Sequence, residues 1–126
     1  MFEGKKILII EDEKQMIESY QHKFKYKPML SQAIPYYAQN VAEAVSVIEK
    51  EKPDIIYLDL SLGDSSTPEG FEILKKYGKL YNIIVVSGYV DYEQECLALG
   101  AKSYMVKNAL DFIKMMEQGD KLLKNL

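Results

Sequence analysis

Residues 54–64 read DIIYLDLSLGD, and this stretch decides the fold. Ile55, Ile56, Tyr57 and Leu58 make an apolar run too short for a helix and rich in β-forming residues, entered from Pro53 and closed by Asp59 ahead of Gly63. Such a run describes a strand buried on both faces, as in a parallel sheet, with a carboxylate at its C-terminal end. Ligands of open α/β sheets sit just outside the carboxyl ends of the strands, so Asp59 is a candidate for chemistry. An Asp in that place can equally serve only to cap the loop that follows.

Working outward, the same pattern recurs near the N-terminus, where Lys5 and Lys6 lead into Ile7-Leu8-Ile9-Ile10 and the run ends in Glu11, Asp12 and Glu13. Met16, Ile17, Tyr20 and Phe24 then predict a helix from about Lys14 to Tyr26, which Pro28 cannot extend. His22 lies off that stripe and reads as a solvated surface residue. Ile34, Tyr36 and Tyr37 suggest a short strand around Gln32 to Ala38, with Pro35 requiring an edge position or a bulge. Asn40 with Glu43 resembles a capping box, and Val41, Ala44, Val45 and Ile48 fall at helical spacing.

Beyond the polar loop at 61–69, Phe71, Leu74 and Leu80 bracket a short helix with Gly78 as its stop. Asn82 to Ser87 is a fourth buried strand ending on a hydroxyl. Asp91 to Leu99 predicts a short helix stopped by Gly100, and Lys102 to Val106 a fifth strand ending at Lys107. Ala109, Phe112, Ile113 and Met116 mark the inward stripe of a last helix that runs past Gly119 toward Leu126.

Five strands alternating with five helices imply right-handed crossovers and a five-stranded parallel sheet with helices on both faces, a three-layer α/β sandwich. With 126 residues, 48% hydrophobic and 28% charged, the chain fits one domain with one core over residues 1–126. The net charge of −3, with basic residues spread along the chain, argues against nucleic acid as a direct partner. No apolar run approaches membrane-spanning length and the N-terminus is no secretory signal, so no membrane insertion and a cytoplasmic location are expected. Cys96, the sole cysteine, cannot form an internal disulfide and reads as a small buried hydrophobe.

The strand ends then collect Glu11 and Asp12, Asp59, Ser87 and Lys107 on one edge of one sheet. Three crowded carboxylates repel and raise one another's pKa unless a hard cation joins them, and oxygen ligands of this kind suit Mg2+. Lys107 supplies a compact charge suited to a carboxylate and to an incoming phosphoryl oxygen. The formal charges cancel only with a divalent cation present. A carboxylate nucleophile forming an aspartyl-phosphate is an established route for such a set.

Over essentially its whole length the chain resembles a response-regulator receiver domain, the phosphoacceptor half of bacterial two-component signalling, with a fold like that of the chemotaxis regulators. The resemblance implies the flavodoxin-like strand order 2-1-3-4-5. It implies that Glu11 and Asp12 are the acidic pair and Asp59 the phosphorylated residue, with Ser87 the hydroxyl switch and Lys107 the family's lysine. Tyr104 falls on the aromatic switch position, and the Ser61 carbonyl on that of a further metal contact. Phosphorylation, Mg2+-dependent, is expected to draw Ser87 toward the phosphate, letting Tyr104 swing inward from a solvated position and changing the surface of helix 4, strand 5 and helix 5. The implied partners are a sensor histidine kinase or phosphotransfer protein and a downstream target protein, and a homodimer is left open. The chain would be mainly a signalling switch that catalyses its own phosphorylation and dephosphorylation.

Departures from the family pattern are Asn108, where a proline usually follows the lysine, a polar insert DSSTP between Asp59 and Gly70, and short third and fourth helices. They motivate a second reading, a receiver-like interaction module that works without phosphorylation. A haloacid-dehalogenase-type phosphatase would need a second acid where Ser61 stands. A flavodoxin would need a hydroxyl-rich loop where the chain has Glu11-Asp12-Glu13.

Overall fold

A computed structural model describes residues 1–62, 68–107 and 111–126. Most of the DSSTP insert, together with Asn108 and Ala109, lies outside the described residues. The strands are β1 (Lys6–Ile10), β2 (Ile34–Ala38), β3 (Ile55–Asp59), β4 (Ile83–Ser87) and β5 (Ser103–Val106). They alternate with helices α1 (Lys14–Tyr26), α2 (Val41–Glu51), α3 (Gly70–Tyr77), α4 (Glu93–Ala98) and α5 (Phe112–Lys124). All pairings are parallel and the order is β2-β1-β3-β4-β5, as expected.

Alternation along each strand divides the apolar residues between two cores. Leu8, Ile10, Ile56, Leu58, Ile83 and Val85 pack under α2, α3 and α4, against Ala44, Ile48, Phe71, Leu74 and Cys96. Ile7, Ile9, Ile55, Tyr57, Ile84 and Val86 face α1 and α5, against Tyr20, Phe24, Met115 and Met116. Each fully buried aliphatic side chain contributes about 1.5–3 kcal/mol, which is why the strand sequences are nearly continuous hydrophobic runs. Among the described residues no helix is long and apolar enough to cross a membrane.

Local signals account for most element ends. Asn40 caps α2, its Oδ1 accepting the Glu43 N–H at 2.9 Å, while Glu43 Oε1 accepts the Gln39 N–H at 2.8 Å. Pro35 sits on the edge strand opposite Ile7 with unbroken register, so the edge position rather than a bulge accommodates it. His22 is exposed and Cys96 buried.

One expectation changes. Leu80 does not bracket α3: it lies beyond the helix and is 76% exposed. Gly78 does stop α3, as its C-cap, but with φ −55° it does so without a left-handed conformation. Instead a Cβ at Gly78 would collide with the Leu99 carbonyl, and one at Gly100, whose φ is +110°, with the Gly78 carbonyl. The two glycines let the ends of α3 and α4 meet backbone to backbone.

Helix α5 does run through Gly119, for a reason found on the opposite strand. The buried Tyr57 phenol donates to the Met115 carbonyl at 2.8 Å, and a Cβ at Gly119 would overlap the phenol oxygen. Glycine, usually unfavourable within a helix, is what admits the tyrosine. Gly119→Ala should therefore lower stability by about 1–3 kcal/mol, as overpacking does. Tyr57→Phe should cost about 0.5–1.5 kcal/mol through the lost hydrogen bond to a carbonyl that keeps its place within α5. Denaturant unfolding measures both, and an alanine at 119 that stabilises the helix would contradict this packing.

Candidate functional site

A parallel sheet brings every strand's carboxyl end to one edge, and the period of two sets which face each end residue takes. Asp59 continues the Ile55–Tyr57 side of β3 and Glu11 the Ile7–Ile9 side of β1, so the two carboxylates meet on the α1/α5 side of adjacent central strands. Both are buried, Asp59 5% and Glu11 2% exposed. Lys107, just past edge strand β5, reaches across β4, and its Nζ stands 2.8 Å from Asp59 Oδ2 and 3.1 Å from Glu11 Oε1. Main-chain donors orient the other oxygens: the Ser61 N–H donates to Asp59 Oδ1 at 3.1 Å and the Glu13 N–H to Glu11 Oε2 at 3.2 Å.

The exposed Asp12 completes the group, with one carboxylate oxygen from each of Glu11, Asp12 and Asp59 lying within 4.8 Å of one another. Burial, reinforced by the charge of Asp59, pushes the Glu11 carboxyl up to about 7. Burial also opposes the Lys107 ammonium, but the hydrogen bond and charge of Asp59, with the charge of Glu11, override it and raise its pKa above the usual lysine value. Three carboxylates against one ammonium leave a formal charge of −2 in this cluster. Crowded hard oxygen donors with that surplus fit a divalent cation of the Mg2+ type.

Ser87 and Tyr104 are brought together, but not as expected. Ser87 is fully buried, and its Oγ accepts the Tyr89 N–H at 3.0 Å. Tyr104 is half-buried against the α3/α4 core rather than solvated, and its phenol donates to the Tyr89 carbonyl. Burial raises the phenol's pKa while its hydrogen bond with Ser87 lowers it. A large ring gains by leaving water, and the carbonyl satisfies its hydroxyl, so no phosphate is needed to draw it in. The chain continues through edge-to-face ring pairs, Tyr89 on Tyr92 and Tyr92 on Phe71, each with centroids 5.3 Å apart.

Sequence reading placed Tyr20 only in the inward stripe of α1. In the structure it lines a small cavity of about 10 Å³ beneath the acidic pair, together with Glu11 and Asp59. A polar-tipped aromatic on the inward stripe two turns after the acidic run was the available signal.

The sequence profile of the response regulator receiver domain matches residues 7–118. Over 71 residues, 52% of this chain, the sequence is 39% identical to the transcriptional regulatory protein YhcZ of Bacillus subtilis, 32% of which is covered. The sensory transduction protein LytT of Enterococcus faecalis is 28% identical over 80% of this chain and 41% of its own length. The chain thus spans about a third to two fifths of these relatives. Among solved structures, a CheY-like receiver domain protein from Methanospirillum hungatei superposes with a TM-score of 0.80 at 26% identity, covering 96% of this chain and 94% of that one. TrrA of Thermotoga maritima, crystallised with Mg2+ and BeF, shares the fold with a TM-score of 0.75 at 23% identity, covering 94% and 98%. With strand order, strand-end chemistry and profile in agreement, the chain belongs to the response regulator receiver domain family of two-component signalling.

Proposed function

We propose that Asp59 accepts a phosphoryl group, from a histidine kinase, a phosphotransfer protein or a small phosphodonor, and that Ser87 and Tyr104 pass the change to the surface of α4, β5 and α5. The observation that supports this best is the Lys107 ammonium seated between Asp59 and Glu11 beside a third carboxylate. Receiver domains hold Mg2+ in an acidic pocket and work with histidine kinases or phosphotransfer proteins. In this chain Glu11, Asp12, Asp59 and the Ser61 carbonyl would hold the ion. Bound there, Mg2+ offsets the acids and shares the charge of the phosphoryl oxygens.

The residues divide the remaining work. Lys107 grips one Asp59 oxygen and the Ser61 N–H the other, which orients the carboxylate. Asp59 attacks phosphorus, forming a new O–P bond as the bond to the donor breaks and its electron pair leaves with the donor. Lys107, protonated throughout, stays available to a phosphoryl oxygen. The phosphorylated side chain presents new acceptor oxygens, and the Ser87 hydroxyl one strand over is the neutral donor that turns toward them. Its departure from the Tyr89 N–H frees the exposed Gly88–Tyr89–Val90 loop and, through the Tyr89 carbonyl, the Tyr104 phenol. The same reading treats residues 1–126 as one cytoplasmic receiver unit without direct nucleic-acid contact.

Three measurements test it. With Mg2+ and a small phosphodonor, intact mass should rise by one phosphoryl group in the wild type and not in Asp59→Asn; an unchanged gain in the variant would move the acceptor to another acid. Asp12→Ala should weaken Mg2+ binding by about tenfold or more, read by calorimetry because the chain has no tryptophan. Undiminished affinity would refute the cation site. Ser87→Ala should still become phosphorylated, while NMR with beryllofluoride should show smaller shifts at Tyr104 and α4 than in the wild type. Shifts of equal size would remove Ser87 from the coupling.

A further inference from the structure

The lining of the cavity beneath the acidic pair includes Tyr20, a polar residue that the phosphoryl chemistry does not use. It is lined by Ile9, Val86 and Met115 together with the polar residues Glu11, Asp59 and Tyr20. The Tyr57 phenol, also at the wall, is committed to the Met115 carbonyl at 2.8 Å. A space of about 10 Å³ has room for about one water, and such a water needs two to four polar partners.

Hydrogen-bond accounting supplies those partners. Glu11 Oε1 is engaged by Lys107 and Oε2 by the Glu13 N–H. Asp59 Oδ2 is engaged by Lys107 and Oδ1 by the Ser61 N–H. The two side chains also hydrogen-bond one another, but a carboxylate oxygen has two acceptor positions, so each residue retains capacity for a further donor. Tyr20 is only 6% exposed. Burial, with the charges of Glu11 and Asp59, pushes its phenol up to about 12, which keeps it a protonated donor.

We propose that this cavity is a single-water site, the water donating to the Glu11 and Asp59 carboxylates and accepting from the Tyr20 phenol, and that Tyr20 thereby positions Glu11. The water completes three hydrogen bonds, the usual number for a buried water. Tyr20 is a positioning residue: it acts on Glu11 through the water and touches no phosphoryl group. Its ring is also a wall, because Tyr20 lines the wider cleft between α1 and α5 that holds Glu13, Lys23, Lys107 and Phe112. The ring packs against Phe112 with centroids 5.9 Å apart. Tyr20→Phe therefore keeps the wall and removes only the donor.

The effect on the cation rests on the reading of Glu11 as a Mg2+ ligand; the water site does not. The experiment pairs crystal structures of the metal-free wild type and Tyr20→Phe, refined to where ordered waters are visible, with Mg2+ calorimetry on both proteins and their thermal unfolding. Expected are an ordered water within hydrogen-bond distance of Glu11, Asp59 and Tyr20 in the wild type, and Mg2+ affinity reduced about tenfold in Tyr20→Phe with an unfolding midpoint close to wild type. A dry cavity in the wild-type crystal overturns the water site, whether or not the variant folds. A water present but Mg2+ affinity unchanged in Tyr20→Phe overturns the positioning role. Wild-type protein that binds no Mg2+ refutes the cation reading and that role with it, while the density alone still decides the water.

Discussion

Two carboxylates buried side by side and joined by one ammonium are the constraint on which the rest of this structure depends. Asp59 and Glu11 could not both remain charged out of water without Lys107, and Lys107 compensates only one of them. The contact depends on the strand order: β1 and β3 are neighbours, and β5 ends where a lysine stem can span β4. The unbalanced charge fits the cation and phosphoryl group of the proposed function, and two main-chain N–H groups share its weight.

The two faces of the sheet support this edge differently. On the α1/α5 side, the Tyr57 phenol bonds main chain of α5 and Gly119 makes room for it, so the helix that follows Lys107 is docked onto the strand that carries Asp59. On the other side, Gly78 and Gly100 bring the ends of α3 and α4 into backbone contact, while the rings of Phe71, Tyr92 and Tyr89 pack edge to face. Ser87 and Tyr104 sit where that aromatic row meets the strand ends.

The resting arrangement of Tyr104 changes how a switch can operate. Its ring is already packed and its hydroxyl already satisfied, so signalling need not supply a place for it. On the proposed reading, what phosphorylation would alter is the Ser87 hydroxyl, which belongs to the same small network, and a change there would reach the Tyr89 loop through one hydrogen bond.

Much of the fold and of the site was legible in the residues. Apolar runs such as Ile55–Leu58 encode buried strands, periods of three and four encode helix faces, and the Asn40–Glu43 cap is local chemistry within one turn. Because a parallel sheet places all carboxyl ends together, naming the strands was enough to assemble Glu11, Asp12, Asp59, Ser87 and Lys107 on one edge. Pattern could not say that Gly78 faces Leu99 and Gly100, that Leu80 stays in water, or that Gly119 yields to Tyr57. Nor could it say that Tyr104 already packs, half-buried, against the α3/α4 core or that Tyr20 lines a cavity with Glu11. Those are meetings between side chains and backbone far apart in the chain; periodicity specifies which face a residue takes, and only the packing of one face against another decides what it meets there.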